Sequence, residues 1–174
     1  LLVDDINRLV ADGCRERGVA CEDVVDEVVV GNPTMQHILL GISPESLGRG
    51  PYLPVWSDGV EVEARELGLA IAPRARTFVF PMVSGYIGGD TLAALLTRGA
   101  DFYLGNQLLV DVCTNGEVVL SCDGRLSATS CATGPVYEGA HIRCGVRASP
   151  GAIERVWVAP GGKIRWAAIP GADA

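Results

Sequence analysis

The chain has 174 residues, 48% of them hydrophobic and 20% charged, with a formal net charge of −7. That length and composition describe a globular chain able to bury a sizeable core, and they exclude disorder. The acidic balance, with no basic run, argues against nucleic acid or an anionic membrane surface as a partner. An anionic ligand would have to be met by backbone N–H groups, helix ends or a metal ion.

Ile6, Leu9, Val10 and Cys14 fall at helical spacing within residues 3–17, and Gly18 ends that helix. EVVVGN has no polar alternation, so it predicts a short strand over 27–31 buried on both faces, as in a parallel sheet. Pro33 opens a helix, PTMQHILLG, at the position where proline is tolerated. Residues 43–59 are rich in Pro, Gly and Ser and predict a loop. VEVEA predicts an alternating strand, and TFVFP a buried one ended by Pro81. GGDTLAALLTRG has glycines ahead of it, Asp90 and Thr91 at its start and Gly99 at its end, the layout of a bounded helix.

Beyond a polar connector over 99–106, LLVDVCTNGEVVL predicts a hairpin turning at Asn115-Gly116, because both residues tolerate positive φ. A strand over 125–130 follows, then a short helix from Pro135. Two further strands, AIERVWV and KIRWAAI, are joined at Pro160-Gly161-Gly162. Helix–strand alternation gives way to hairpins near residues 99–106, so two α/β units are expected to meet there.

The six cysteines (Cys14, Cys21, Cys113, Cys122, Cys131, Cys144) include no C-x-x-C pair, and their spacing fits neither zinc nor a common iron–sulfur motif. Most of them read as reduced core or near-core thiols. His37 and His141 are too few and too separated to suggest a metal site, and read as structural. Trp56, Trp157 and Trp166 read as core or interface residues, with no stacking pattern for nucleic acid. No apolar run reaches transmembrane length and the first residues lack a signal-peptide layout, so a cytoplasmic location is expected.

The order of these signals carries more than any one of them. A helix opening at Asp90-Thr91 is followed across a connector by an apolar strand ending in Asp111, a Thr-Asn-Gly turn and a returning strand. This order resembles the ATPases of the acetate and sugar kinase, heat-shock chaperone and actin superfamily, whose second lobe opens with a phosphate-binding hairpin. GNPTMQHILLGISPESLGRGPY, FPMVSGYIGGDTLAALL, LLVDVCTNGEVVL and CATGPVYEGAHIRCGVRASPGAIE further resemble consecutive motifs of one family in that superfamily. It is the C-terminal ATPase region of the reductive activators of corrinoid proteins, ferredoxin-linked proteins of anaerobes. The resemblance spans about residues 25–156.

The resemblance implies an α/β fold, a partial actin and heat-shock-chaperone-like (ribonuclease H-like) ATPase, with the end of lobe I over 1–104 and the start of lobe II over 105–174. It implies a part in coupling ATP to uphill electron transfer onto the cobalt of a corrinoid protein. ATP and Mg2+ are the cofactors it implies, with an iron–sulfur cluster only in a domain absent from this chain. The partners implied are a corrinoid protein and an electron donor, and a homodimer is compatible with it. Both ends of the chain are expected to fall short of the family's full length, so ATP turnover by this stretch alone is not expected.

By the same resemblance Asp90 and Asp111 handle Mg2+ through water and the attacking water itself. Cys113, Thr114, Asn115, Gly116, Gly134 and Glu138 contact phosphate or shape its pocket, with Pro135 and Gly139 part of the same Gly-Pro-x-x-Glu-Gly motif. Each residue also has a plainer reading. Asp111 can accept N–H bonds from its own turn, Asp90 can serve its helix start, and Glu138 can be a surface residue. Gly31-Asn32, after a strand, is the usual kind of ligand-facing strand end in α/β sheets. Cys113 stands where family members carry glycine, which leaves room for a scaffold that no longer hydrolyses nucleotide. A related activator class, acting on 2-hydroxyacyl-CoA dehydratases, is the other rival.

Overall fold

The computed structural model describes residues 1–112, 115–134, 143 and 145–171. It divides into two compact units, one of Leu1–Val110 with Glu117–Ser130, the other of Asp111–Gly116 with Cys131–Ala174.

The first unit opens with α1, Leu2–Arg17, ended by Gly18 in the left-handed region at φ 67°. Val3, Ile6 and Val10 lie one and two turns apart and pack on the buried cluster Ala64, Leu69, Ile71 and Ala75. Asn7 fastens the same face: its amide donates to Gly68 O at 3.0 Å and accepts from Ala70 N at 2.7 Å. A chain reversal after α1 leads through a 3-10 turn, Cys21–Asp23, into β1, Asp26–Val29. Helix α2 is Pro33–Leu39, and Asn32 caps it by accepting from Met35 N at 2.9 Å. A 3-10 helix over Pro44–Gly48, capped by Ser43, breaks the segment expected to be wholly loop.

Strand β2, Val60–Glu63, is followed by the short helix α3, Ala64–Leu67, and then by β3, Arg76–Val79. The sheet has the order β1-β3-β2, with β1 parallel and β2 antiparallel to β3. Strand β1 is therefore at an edge of this sheet. Its burial alternates and Val28 is 63% exposed, which corrects the expectation of a strand covered on both faces.

Helix α4, Gly89–Arg98, ends at Gly99, and a four-residue helix α5, Asp101–Leu104, occupies the connector. Leu92 and Leu95 of α4 and Phe102 of α5 pack with Leu109 and Val119 in a second cluster. The last two come from β4, Gln107–Val112, and β5, Asn115–Cys122, which with β6, Arg125–Ala132, form a sheet in that order. Phe102 is almost wholly buried, and such a side chain contributes about 1.5–3 kcal/mol over an exposed one.

The turn between β4 and β5 differs from expectation. Asn115 and Gly116 are the first residues of β5 and not its turn, and residues 113–114 lie outside the described residues. A hairpin turn that the sequence reading did not single out lies at the other end of β5, where Asp123 and Gly124 both have positive φ, as a type I′ turn demands.

In the second unit, β7, Ile153–Val158, pairs antiparallel with β8, Ile164–Ala168, across the Pro160-Gly161-Gly162 turn. Gly161 and Gly162 supply the positive φ that turn needs. Trp157 and Trp166 are exposed on this ribbon rather than in a core. The cysteines divide similarly: Cys14 is buried and Cys21 half-buried, but Cys122 and Cys131 are exposed. Among the described residues no helix is long and apolar enough to cross a membrane.

Candidate functional site

In the first unit the carboxyl ends of the two parallel strands converge on the start of α4. After β1 the chain runs through Gly31 to Asn32, and after β3 through Phe80 to Pro81. Helix α4 begins without a side-chain cap, because its N-cap is Gly88. Three of the four amides that a helix start leaves without an intrahelical partner are nevertheless taken. Gly89 N donates to Gln36 Oε1 at 3.1 Å, Asp90 N to Gly31 O at 3.4 Å, and Thr91 N to Asp90 Oδ1 at 2.8 Å. Leu92 N then makes the first bond of the helix, to Gly88 O.

Gln36 is only 1% exposed, and its other amide atom, Nε2, donates to Phe80 O at 2.6 Å. One side chain from α2 thus joins the end of β3 to the start of α4. The approach is too close for any side chain on the glycines. A Cβ on Gly88 would stand 2.3 Å from Gly31 O and 2.8 Å from Asn32 Cα. One on Gly89 would stand 2.8 Å from Phe80 Cβ.

Asp90 is half-buried as the second residue of α4. Its Oδ1 is engaged by Thr91 N, and its other oxygen has no hydrogen bond among the described residues. It lines a cavity of about 520 Å³ together with Gly31, Asn32, Gln36 and Glu27. The Glu27 carboxylate accepts from the buried Thr77 hydroxyl at 3.2 Å, across the β1–β3 pair. No lysine or arginine lines this cavity. The structure therefore brings Asp90 to Gly31-Asn32, two features the sequence offered separately.

In the second unit Asp111 is half-buried near the end of β4. Gly116 is buried, and a Cβ there would meet Thr133 Cγ2 at 2.7 Å and Cys131 Sγ at 3.4 Å. Cys131 Sγ also donates to Gly116 O at 3.4 Å. Gly134, directly after Thr133, has φ 79°. The chain at Gly116 is thus pressed against Cys131 and Thr133. Asn115 is exposed. Cys113, Thr114, Pro135, Glu138, Gly139, His141 and Cys144 lie outside the described residues.

Gln36 and Thr133 escaped sequence reasoning. Gln36 and His37 form a polar pair inside the short apolar helix PTMQHILLG, and a buried polar pair demands partners. Thr133, ahead of the Gly-Pro pair, carried no signal by itself.

Residues 1–102 match the family described as the RACo middle region, and residues 105–174 match the C-terminal domain of RACo, the ASKHA domain. The corrinoid activation enzyme RamQ of Eubacterium limosum is 30% identical over 168 residues, covering 97% of this chain and 28% of that protein. A Co(II) methylated amine-specific corrinoid protein reductase of Methanosarcina barkeri is 40% identical over 75 residues, 42% of this chain and 14% of that one. A solved reductive activator for corrinoid, iron–sulfur protein shares 35% identity at a TM-score of 0.82, over 95% of this chain and 27% of that chain. The chain thus spans under a third of the length of these relatives. Its α/β fold is a partial actin-like one. The chain belongs to the RACo family, the reductive activators of corrinoid proteins, and carries residues of both its middle region and its C-terminal ASKHA domain.

Proposed function

We propose that in the intact protein this chain is the nucleotide-handling part of an ATP-dependent activator of a corrinoid protein. It would supply the end of lobe I over 1–104 and the start of lobe II over 105–174, coupling ATP to electron transfer onto cobalt from a separate donor. The relatives' names support a corrinoid partner. The observation that carries the nucleotide reading is Asp90, at a helix start beside the carboxyl ends of parallel strands, where α/β folds bind ligands.

The donor set suits Mg2+ and phosphate. Asp90 has one carboxylate oxygen open, in a cavity without basic residues, and magnesium takes few protein ligands while keeping its waters. Gly116 lacks a Cβ that would meet the Thr133 methyl, so its backbone packs directly against Thr133 at the start of β5. Asp90 and Asp111 are the residues that would hold the metal through water. Residues 113–116 with Gly134 and Glu138 would cradle phosphate. Bound magnesium would supply charge neutralisation for the phosphates. Asp90 orients the attacking water, and the Thr91 amide holds its carboxylate in one orientation.

The test is Asp90→Asn in the full-length protein. ATP hydrolysis should fall by about two orders of magnitude while the circular dichroism spectrum is unchanged. Undiminished hydrolysis would remove Asp90 from the chemistry. A full-length wild-type protein that binds ATP without hydrolysing it would favour the scaffold reading.

A further inference from the structure

We propose that Gln36 is a positioning residue for Asp90, setting where the carboxylate stands by clamping the start of α4 to the end of β3. This rests on the reading that Asp90 acts in ATP hydrolysis.

An α-helix start normally borrows its cap from the residue just ahead of it, and that local cap sets the entry angle of the chain. In α4 this device is missing, since Gly88 has no side chain to offer and cannot acquire one against Gly31 O. The cap comes instead from 53 residues upstream, as Gln36 Oε1 accepting from Gly89 N. The same amide plane uses Nε2 to donate to Phe80 O, so both ends of one rigid group are fixed to backbone. Gln36 is itself seated in α2, where its own N–H bonds to Asn32 O at 3.1 Å. Asn32 is the residue whose Cα closes on Gly88. The carboxylate of Asp90 is one residue beyond the clamped amide.

At neutral pH a primary amide matches this pair of partners, with one donor and one acceptor on a single planar group. Phe80 O needs a donor and Gly89 N needs an acceptor. A thioether of similar length fills the space and satisfies neither. A carboxylate satisfies Gly89 but turns an acceptor onto Phe80 O. A protonated carboxyl satisfies both, its O–H donating to Phe80 O and its carbonyl accepting from Gly89 N. Restoration by protonation therefore distinguishes the hydrogen-bond pattern from mere space filling.

The experiment compares full-length wild type, Gln36→Met, Gln36→Glu and Asp90→Asn. Amide hydrogen exchange across residues 89–91 should accelerate at least about tenfold in Gln36→Met, because a buried amide there loses its acceptor. Its kcat for ATP hydrolysis should fall about tenfold or more, with KM for ATP within about twofold, since Gln36 moves the carboxylate without holding nucleotide. In Gln36→Glu the ratio of kcat to that of wild type should rise as pH falls toward 5, and no such rise should occur in Gln36→Met. A kcat that stays at the wild-type value in both Gln36 variants, with Asp90→Asn inactive, would overturn the positioning role alone. Full activity in Asp90→Asn would overturn the reading beneath it. If Gln36→Met fails to fold, the pH profile of Gln36→Glu decides, and a flat ratio counts against the proposal.

Discussion

His37, wholly buried in α2, accepts the amide of Val55 through Nε2 at 3.2 Å. Because Nε2 is the acceptor, the proton of the neutral ring sits on Nδ1, which faces Pro33 O at 2.7 Å. One imidazole thus ties the segment after the Pro44–Gly48 turn to the first residue of α2. His37→Phe keeps a ring in place but strands the Val55 amide and takes one bond from Pro33 O. We expect a loss of about 1–3 kcal/mol in urea unfolding, with earlier proteolytic cleavage near Val55. An unchanged unfolding midpoint would mean that water replaces the imidazole at both positions.

Two glycines should respond to alanine with opposite signs. At Gly88 the new Cβ meets backbone at 2.3 Å and 2.8 Å, so the start of α4 must shift, at a cost of about 1–3 kcal/mol. At Gly13, inside α1, nothing lies within 4 Å of an added Cβ. Gly13→Ala should stabilise by about 0.5–1 kcal/mol through a less flexible unfolded chain. Thermal unfolding of the two variants checks both signs.

Gly116 offers a rescue test. Its added Cβ would meet Thr133 Cγ2 at 2.7 Å, a methyl that serine lacks. Gly116→Ala should therefore weaken nucleotide binding by the full-length protein, and Gly116→Ala with Thr133→Ser should recover most of it. Titration with a fluorescent ATP analogue reads the difference. A double variant as weak as the single one would place the fault in the altered backbone rather than in the crowded methyl.

The thiols should separate by reactivity. Burial pushes the Cys14 thiol above its ordinary value, helped by its hydrogen bond to Cys21 and by the nearby Glu22 and Asp23 charges. A raised value means less thiolate at neutral pH, so Cys14 should alkylate more slowly than the exposed Cys122 and Cys131. Peptide mass spectrometry after timed iodoacetamide treatment at pH 7 and pH 9 checks the order.

Most of the longer helices and strands, and the family, are legible in the sequence alone. Residues such as Gly18, Pro33 and Gly99 bound their helices through φ alone, and apolar spacing in α1 is a property of neighbours along the chain. The ordered motifs around Asp90 and Asp111 were equally legible, because a family signature is a string. What stands at the start of α4 was not. Gln36, Gly31 and Phe80 stand up to 59 residues before Asp90, yet each bonds or abuts the first turn of that helix. Their roles arise only when β1 and β3 pair in parallel and bring both carboxyl ends to one place. The exposure of Val28 has the same origin. A valine-rich strand reads as buried, and whether it is depends on which strand lies beside it, which is a property of the sheet and not of the residues in the strand.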